Sequence, residues 1–167
     1  RLAGGATAAG MGHIIVLDDS DVELELTHRS QQMWDALAPE MPAAVQHDAC
    51  GALWIAQTGA ELDKVRSKAR IMASRGLPAE VLDARQLYEA EPKLRAGLAG
   101  GLLLPRDSVV YPPAFVPWLI EEGRRTGGIV VRTGISVRET GDGFVVLASG
   151  ARLEADWVVN AAGHQIL

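Results

Sequence analysis

Cysteine is nearly absent from this 167-residue chain: Cys50 is the single one, which excludes an internal disulfide framework and Cys-rich zinc or iron-sulfur sites. A reducing, cytoplasmic setting follows as the expectation. Positive charge is also scarce. Sixteen Lys and Arg stand against 21 Asp and Glu, for a net charge of -5 and a pI near 5.3, and the cations are scattered among carboxylates, with no basic stripe to track a phosphate backbone. Nucleic acid is therefore not expected as a partner. Long apolar runs are missing as well: Ile14 to Leu17 and Gly100 to Leu104 are strand-sized, against the roughly 20 residues that a bilayer demands. No transmembrane segment is expected, and any association with the inner membrane would be peripheral. The start carries neither a basic leader nor an apolar h-region. A Ser-His-Asp order, a nucleophile elbow and a metal-ligand cluster are lacking too, which removes hydrolase and metalloenzyme readings. What is present, 48% hydrophobic and 22% charged residues, is the make-up of a folded globular chain with an apolar core.

Residues Arg1 to Gly12 are small and Gly-rich, as in a loop or tight turn that lets backbone come close to something. Ile14 to Leu17 reads as a strand or extended segment, ended by Asp18-Asp19-Ser20. Ser20 with Glu23 three residues on matches a capping box. Val22, Leu26, Met33, Trp34 and Leu37 then give an apolar stripe, which predicts a helix from about Asp21 to Leu37, broken by Pro39 and Pro42. Val45 to Ala49 and Ala52 to Thr58 read as two strands of a hairpin around Cys50-Gly51. A second helix runs from Ala60 to Arg75, with Leu62, Val65, Ala69 and Met72 on one face and Gly76 and Pro78 as stops. Glu80 to Asp83 is expected as a short strand, Ala84 to Ala90 as a short helix, and Leu98 to Leu104 as a bent strand. Pro112 and Pro113 start another helix, with Pro117 near its first turn, that ends at Gly127-Gly128. Four strand signals follow: Ile129 to Arg132, Ile135 to Glu139, Phe144 to Ala148 and Trp157 to Asn160. Gly141-Asp142-Gly143 and Ser149-Gly150 are their hairpin turns.

That final order, a strand, a meander and a strand closing on Asn160-Ala161-Ala162-Gly163, resembles the cofactor domain of FAD enzymes. Together with Gly4-Gly5-Ala6-Thr7-Ala8-Ala9-Gly10, Val110-Tyr111-Pro112-Pro113 and Thr133-Gly134-Ile135-Ser136-Val137, the chain resembles the FAD-dependent D-amino acid oxidase superfamily. Glycine oxidase, sarcosine oxidase and D-amino acid dehydrogenases belong to that group. The resemblance implies an α+β or α/β fold: part of an FAD/NAD(P)-binding Rossmann-like domain joined to an α+β substrate domain with a mixed, largely antiparallel sheet. Residues 1–12 would belong to the FAD-binding part, 13–110 to the substrate domain, and 111–167 to the helix and β-meander of the FAD-binding part. Family members are more than twice as long, so the resemblance implies an interior fragment. The expected strand and G-x-G-x-x-G turn are not in it, and Gly10-Met11-Gly12-His13-Ile14-Ile15 does not supply them, because Ile stands at the third glycine and no strand precedes it. Without that turn the chain alone is expected to bind FAD poorly.

The implied reaction is oxidation of the C-N bond of a glycine, D-amino acid or cyclic imino acid by hydride transfer to FAD, with the protein supplying orientation, water exclusion and a charge for the carboxylate. The Met-Gly-His stretch and the Tyr-Pro-Pro start look closest to glycine or D-hydroxyproline dehydrogenases. Partners would be the small amino or imino acid substrate, with an oligomer or an electron-accepting protein left open. The implied cofactor residues are Gly4, Gly5, Ala6, Thr7, Ala9, Gly10, Met11, Gly12, Val137, Asn160, Ala161, Ala162 and Gly163. Val137 would act through its backbone against adenine, and Gly163 through close approach to phosphate. His13 follows the flavin-adjacent segment and could face the flavin or the substrate carboxylate, or be an ordinary histidine. His28 and His47 read as structural or solvated, Tyr111 as a core aromatic, and Arg106 with Asp107 as a charged pair at the bend. His164 and Gln165 depart from the Ala and Trp usual in the family. An inactive folded module, serving as a substrate lid or subunit contact, is the alternative. A nicotinamide-dependent reductase would carry a second Gly-rich fingerprint, and none lies between Gly100 and Gly163.

Overall fold

The computed structural model describes residues 2–16 and 20–163; Leu17, Asp18, Asp19, His164 and Gln165, on which parts of the sequence reading fell, lie outside the described residues. The chain divides into a larger unit, Leu2–Leu119, and a smaller one, Ile120–Leu167.

The Gly-rich start of the larger unit forms one helical turn, α1 (Ala6–Ala9), followed by the two-residue strand β1 (His13–Ile14). Of the described residues of the apolar run expected to be a strand, Ile14 pairs, while Val16 is buried as coil. Helix α2 spans Asp21–Leu37, and Ser20 Oγ accepts from the Glu23 N–H at 3.2 Å, as the cap signal predicts. Its buried face is not the expected stripe. Val22, Leu26 and Met33 are 78%, 68% and 66% exposed, whereas Leu24 and Gln31 are buried. Trp34 and Leu37 do pack inward, against Ile14, Val45, Val110 and Phe115, with the Trp34 and Phe115 rings 4.4 Å apart.

The hairpin around Cys50-Gly51 does not form. Ala43–Val45 is a 3-10 turn, Asp48 makes an isolated bridge to Val109, and β2 (Ala52–Ala56) pairs with β4 (Gly100–Leu104), some fifty residues on. Between them lie α3 (Gly59–Ser74), β3 (Glu80–Asp83) and α4 (Ala84–Ala90). All contacts in this sheet are antiparallel, in the order β2-β4-β3. Alternation along the strands divides its side chains between two layers. Trp54, Ala56, Leu102 and Leu104 meet Leu62, Val65 and Met72 of α3, while Leu53, Leu82 and Leu103 meet Leu87 of α4. Gly101 is needed because an added Cβ would lie 2.5 Å from the Trp54 carbonyl oxygen of the neighbouring strand. Strand β5 (Ser108–Val109), not foreseen in the sequence, pairs with β1.

Helix α4 starts from a complete capping box. Asp83 Oδ1 accepts from the Gln86 N–H at 2.8 Å and Gln86 Oε1 accepts from the Asp83 N–H at 2.9 Å. Because α4 carries the fully buried Leu87, losing this cap loosens an anchored element rather than a fraying end. Asp83→Ala is expected to cost about 1 kcal/mol, read as a lower denaturation midpoint with an unchanged m-value.

Helix α5 runs Pro112–Arg125, with Pro117 in its second turn, where the ring removes a helical N–H. In the smaller unit, β6 (Val137–Gly141), β7 (Phe144–Leu147) and β8 (Arg152–Glu154) form an antiparallel meander in sequence order. The two flanking segments expected as strands, Ile129 to Arg132 and Trp157 to Asn160, form none, and β8 takes the third place instead. A β-branched run becomes a strand only against a neighbour that accepts its ladder hydrogen bonds. Among the described residues these two segments have no such neighbour, and Val130, Trp157 and Val159 are more than four-fifths exposed.

Candidate functional site

In the smaller unit, the chain beyond β8 lies along β6 and leaves an open cavity of about 520 Å³. Four of the residues named from the sequence line it together: Val137, Asn160, Ala161 and Ala162. Thr140 and Val145 also line it, and no local signal distinguished them from other strand residues. Strand β6 is at the edge of its sheet, so the backbone N–H and C=O groups on its outer side are not used by the meander. A register shift between Val137 and Glu139 interrupts pairing with β7 at that point. The Asn160 side chain turns back on its own backbone, with Oδ1 accepting from the Ala162 N–H at 3.1 Å, the local Asx geometry that shapes a tight bend. Gly163, next in the chain, has φ +64° and nothing within 4 Å of an added Cβ. The small residues Ala161 and Ala162 line one part of the cavity, and Val137, Arg138, Glu139, Val145, Val158 and Val159 line other parts.

The other named set belongs to the larger unit. Gly4, Ala6, Thr7, Ala9 and Gly10 surround the α1 turn, in which Gly10 N–H donates to the Ala6 carbonyl at 2.9 Å. Gly5 caps the turn at φ 59°, and Met11 is three-quarters exposed. Gly12 has a reason of its own to be glycine. At φ +69° its added Cβ would lie 1.9 Å from the Val110 carbonyl oxygen, and its own carbonyl accepts from the Val110 N–H at 2.9 Å. This contact seats β1 on β5. His13 pairs with Val109, which pairs on its other side with Asp48, so His13 and Asp48 flank one short strand and both are exposed. Tyr111, read as a core aromatic, is instead 48% exposed, because its backbone N–H is tied to the Val45 carbonyl at 2.8 Å while Val110 and Phe115 fill the core beside it.

The two other described histidines are as expected: His28 Nε2 is 3.1 Å from Gln32 Nε2 on α2, and His47 Nε2 is 3.2 Å from Ser108 Oγ. The expected Arg106 and Asp107 pair does not form. Arg106 reaches Asp35 on α2, and Asp107 turns inward to Gln31 and the Val16 N–H. Burial pushes the Asp107 carboxyl up from the usual value of 3.8, against the lowering effect of those two hydrogen bonds. Sequence reasoning missed this buried pair because an Arg-Asp dipeptide at a bend ordinarily reads as surface charge.

Three comparisons bear on this arrangement. The chain is 32% identical over 147 residues to D-amino acid dehydrogenase of Sinorhizobium medicae (strain WSM419), covering 84% of this chain and 35% of that protein. It is 25% identical over 172 residues to the mouse (Mus musculus) mitochondrial pyruvate dehydrogenase phosphatase regulatory subunit, covering 98% of this chain and 19% of that protein. Its fold matches the crystal structure of glycine oxidase from Geobacillus kaustophilus with a TM-score of 0.70 at 22% identity, covering 91% of this chain and 44% of that one. The chain thus spans less than half the length of each of these relatives. A family model described as FAD dependent oxidoreductase, DAO, matches residues 1–167 from end to end. This chain belongs to the DAO family of FAD-dependent oxidoreductases, the family of amino acid oxidases and dehydrogenases.

Proposed function

We propose that this chain is part of a flavoenzyme that oxidises the C-N bond of a glycine, D-amino acid or cyclic imino acid. The observation that carries the reading is the cavity between β6 and residues 158–162, which gathers Val137, Asn160, Ala161 and Ala162 in one place. Those residues fit a nucleotide: an unpaired strand edge can exchange hydrogen bonds with a purine, Val145 and Val158 offer apolar wall, and the small residues allow close approach. Val137, Asn160, Ala161, Ala162 and Gly163 would hold the adenosine side of FAD, and Gly4, Gly5, Ala6, Thr7, Ala9, Gly10, Met11 and Gly12 would line the flavin side. When bound, FAD would supply the two-electron acceptor for oxidation of the substrate C-N bond to an imine, which water would hydrolyse. The chain's own share would be to orient, to exclude water, and to present a charge to the carboxylate, with exposed His13 facing the flavin or that carboxylate. No protein acid or base is required by this balance.

A second reading has its own support. The regulatory subunit aligned over 98% of this chain carries, by its name, a regulatory rather than a catalytic role, so the same fold could serve here as an inactive module. Titration with FAD separates the two. Saturable but weak binding is expected, with amide signals of Val137 to Thr140 and Asn160 to Gly163 shifting together in nuclear magnetic resonance spectra. Ala161→Trp, at an exposed position, is expected to weaken that binding at least tenfold while changing stability by less than about 0.5 kcal/mol. A folded, colourless chain whose amides stay still at millimolar FAD removes the cofactor reading. Should FAD bind, anaerobic mixing with glycine, D-alanine or D-proline is expected to bleach the flavin band.

A further inference from the structure

Asp107 and Gln31 are 1% and 2% exposed, deep in the larger unit. Asp107 Oδ1 accepts from Gln31 Nε2 at 3.1 Å and from the Val16 backbone N–H at 3.3 Å. The second oxygen of each side chain, Asp107 Oδ2 and Gln31 Oε1, is buried without a hydrogen-bond partner. Each unpartnered oxygen belongs to a planar group whose other polar atom, Oδ1 or Nε2, is already in this contact. An ionised carboxylate would leave both buried oxygens without a donor, a costly arrangement. One proton resolves both.

We infer that Asp107 is held as a neutral carboxylic acid that closes a cyclic acid-amide pair with Gln31: Nε2 donates to Oδ1, and the Oδ2 hydroxyl donates to Oε1. The surroundings favour it. Met72, Leu77, Leu104 and Val16 line the small cavity beside the pair, so there is little water to solvate a charge. Arg106 is the one charged group among its other described lining residues, and its guanidinium is engaged with Asp35 of α2 at the surface. The upward push of burial on this carboxyl acts in the same direction. Turning the Gln31 amide over would set Oε1 against Oδ1 and would again need the proton.

The pair is also a junction. The Asp107 backbone carbonyl accepts from the Gly51 N–H at 2.9 Å, its N–H donates to the Leu104 carbonyl, and its side chain reaches both α2 and Val16, just beyond β1. One carboxyl therefore ties the β4 to β5 turn, α2 and the segment that carries His13. Loss of the proton removes the Oδ2 donor and leaves Gln31 Oε1 unanswered, while the Val16 N–H remains on Oδ1, where it favours the ionised carboxylate. The pair thus makes the stability of this junction pH-dependent, independently of whether the chain binds FAD.

The sign follows from proton linkage. The native state binds this proton more tightly than the unfolded chain, so the folding constant is largest in acid. It falls by up to about tenfold per pH unit from near pH 4 until the native carboxyl ionises, and is level beyond. Asp107→Asn keeps both acceptor bonds of Oδ1 and supplies a permanent N–H donor to Oε1. Its folding constant, divided by that of the unsubstituted chain in denaturant titrations from pH 3 to 8, is expected to rise with that slope and then level off. Infrared difference spectra at pH 5, unsubstituted minus Asp107→Asn, are expected to show a protonated-carboxyl stretch. Parallel pH profiles with no protonated-carboxyl band would overturn the inference, leaving an ionised carboxylate bridged to Gln31 by water. If Asp107→Asn failed to fold, the infrared pH titration of the unsubstituted chain against Gln31→Leu would decide by the same band.

Discussion

Gly12→Ala is expected to destabilise the larger unit by about 3 kcal/mol or more. Two costs combine. A left-handed backbone at φ +69° costs an L-residue roughly 1–2 kcal/mol, and the new Cβ would sit 1.9 Å from the Val110 carbonyl oxygen, with the Val110 carbonyl carbon at 3.0 Å and Pro112 Cδ at 3.1 Å. Those are backbone atoms and a proline ring, none of which can swing away. Relief requires β1 and β5 to separate, which sacrifices the Val110 to Gly12 hydrogen bond and the seating of Ile14 in the Trp34, Val45, Phe115 core. Gly5→Ala is the control. It has a similar φ of +59° but nothing within 4 Å of the added Cβ, so it isolates the backbone cost, about 1 kcal/mol. Denaturant titration of both variants measures the difference. If Gly12 is glycine only to admit a flavin, Gly12→Ala would instead leave stability near that of Gly5→Ala and lower FAD binding alone.

Local chemistry was legible in the sequence wherever one element answered for itself. The Ser20 cap, the bounds of α2 and α4, those of α3 to within one residue, and the turns of the meander all follow from residues within a few positions of each other. What failed depends on distant partners. Helix α2 has apolar residues on more than one side, and periodicity favoured the side with Val22, Leu26 and Met33. Burial instead follows Leu24 and a polar residue, Gln31, whose amide is answered by Asp107, 76 positions away. Cys50-Gly51 reads as a hairpin turn because turn residues separate two apolar runs. Gly51 in fact bends the chain, at φ +75°, into contact with Leu103 and Leu104 of β4, while Asp48 goes to Val109. The candidate site divides in the same way. An apolar run closing on small residues drew attention to Asn160 to Ala162, whereas Thr140 and Val145 join them only because β6 and β7 pair.

The second large effect is expected from Leu102→Ala, at about 3 kcal/mol within a range of 2–5. Leu102 is completely buried at the middle of β4, the central strand of the β2-β4-β3 sheet, where it stands opposite Trp54 on one side and Val81 on the other. Above it pack Leu62 and Val65 of α3 in the largest apolar cluster of the unit. Truncation removes three carbons from a place where both flanking strands and a helix are fixed by their own hydrogen bonds, so the space cannot close by collapse. Leu102→Met, which nearly conserves volume, is expected to cost less than about 1.5 kcal/mol, and Ile55→Ala on the 42% exposed edge of β2 about 1 kcal/mol. The ordering matters more than any single value. If Ile55→Ala were as costly as Leu102→Ala, β2 rather than β4 would be the buried centre of the sheet, and the antiparallel register that joins Ala52–Ala56 to Gly100–Leu104 would have to be wrong.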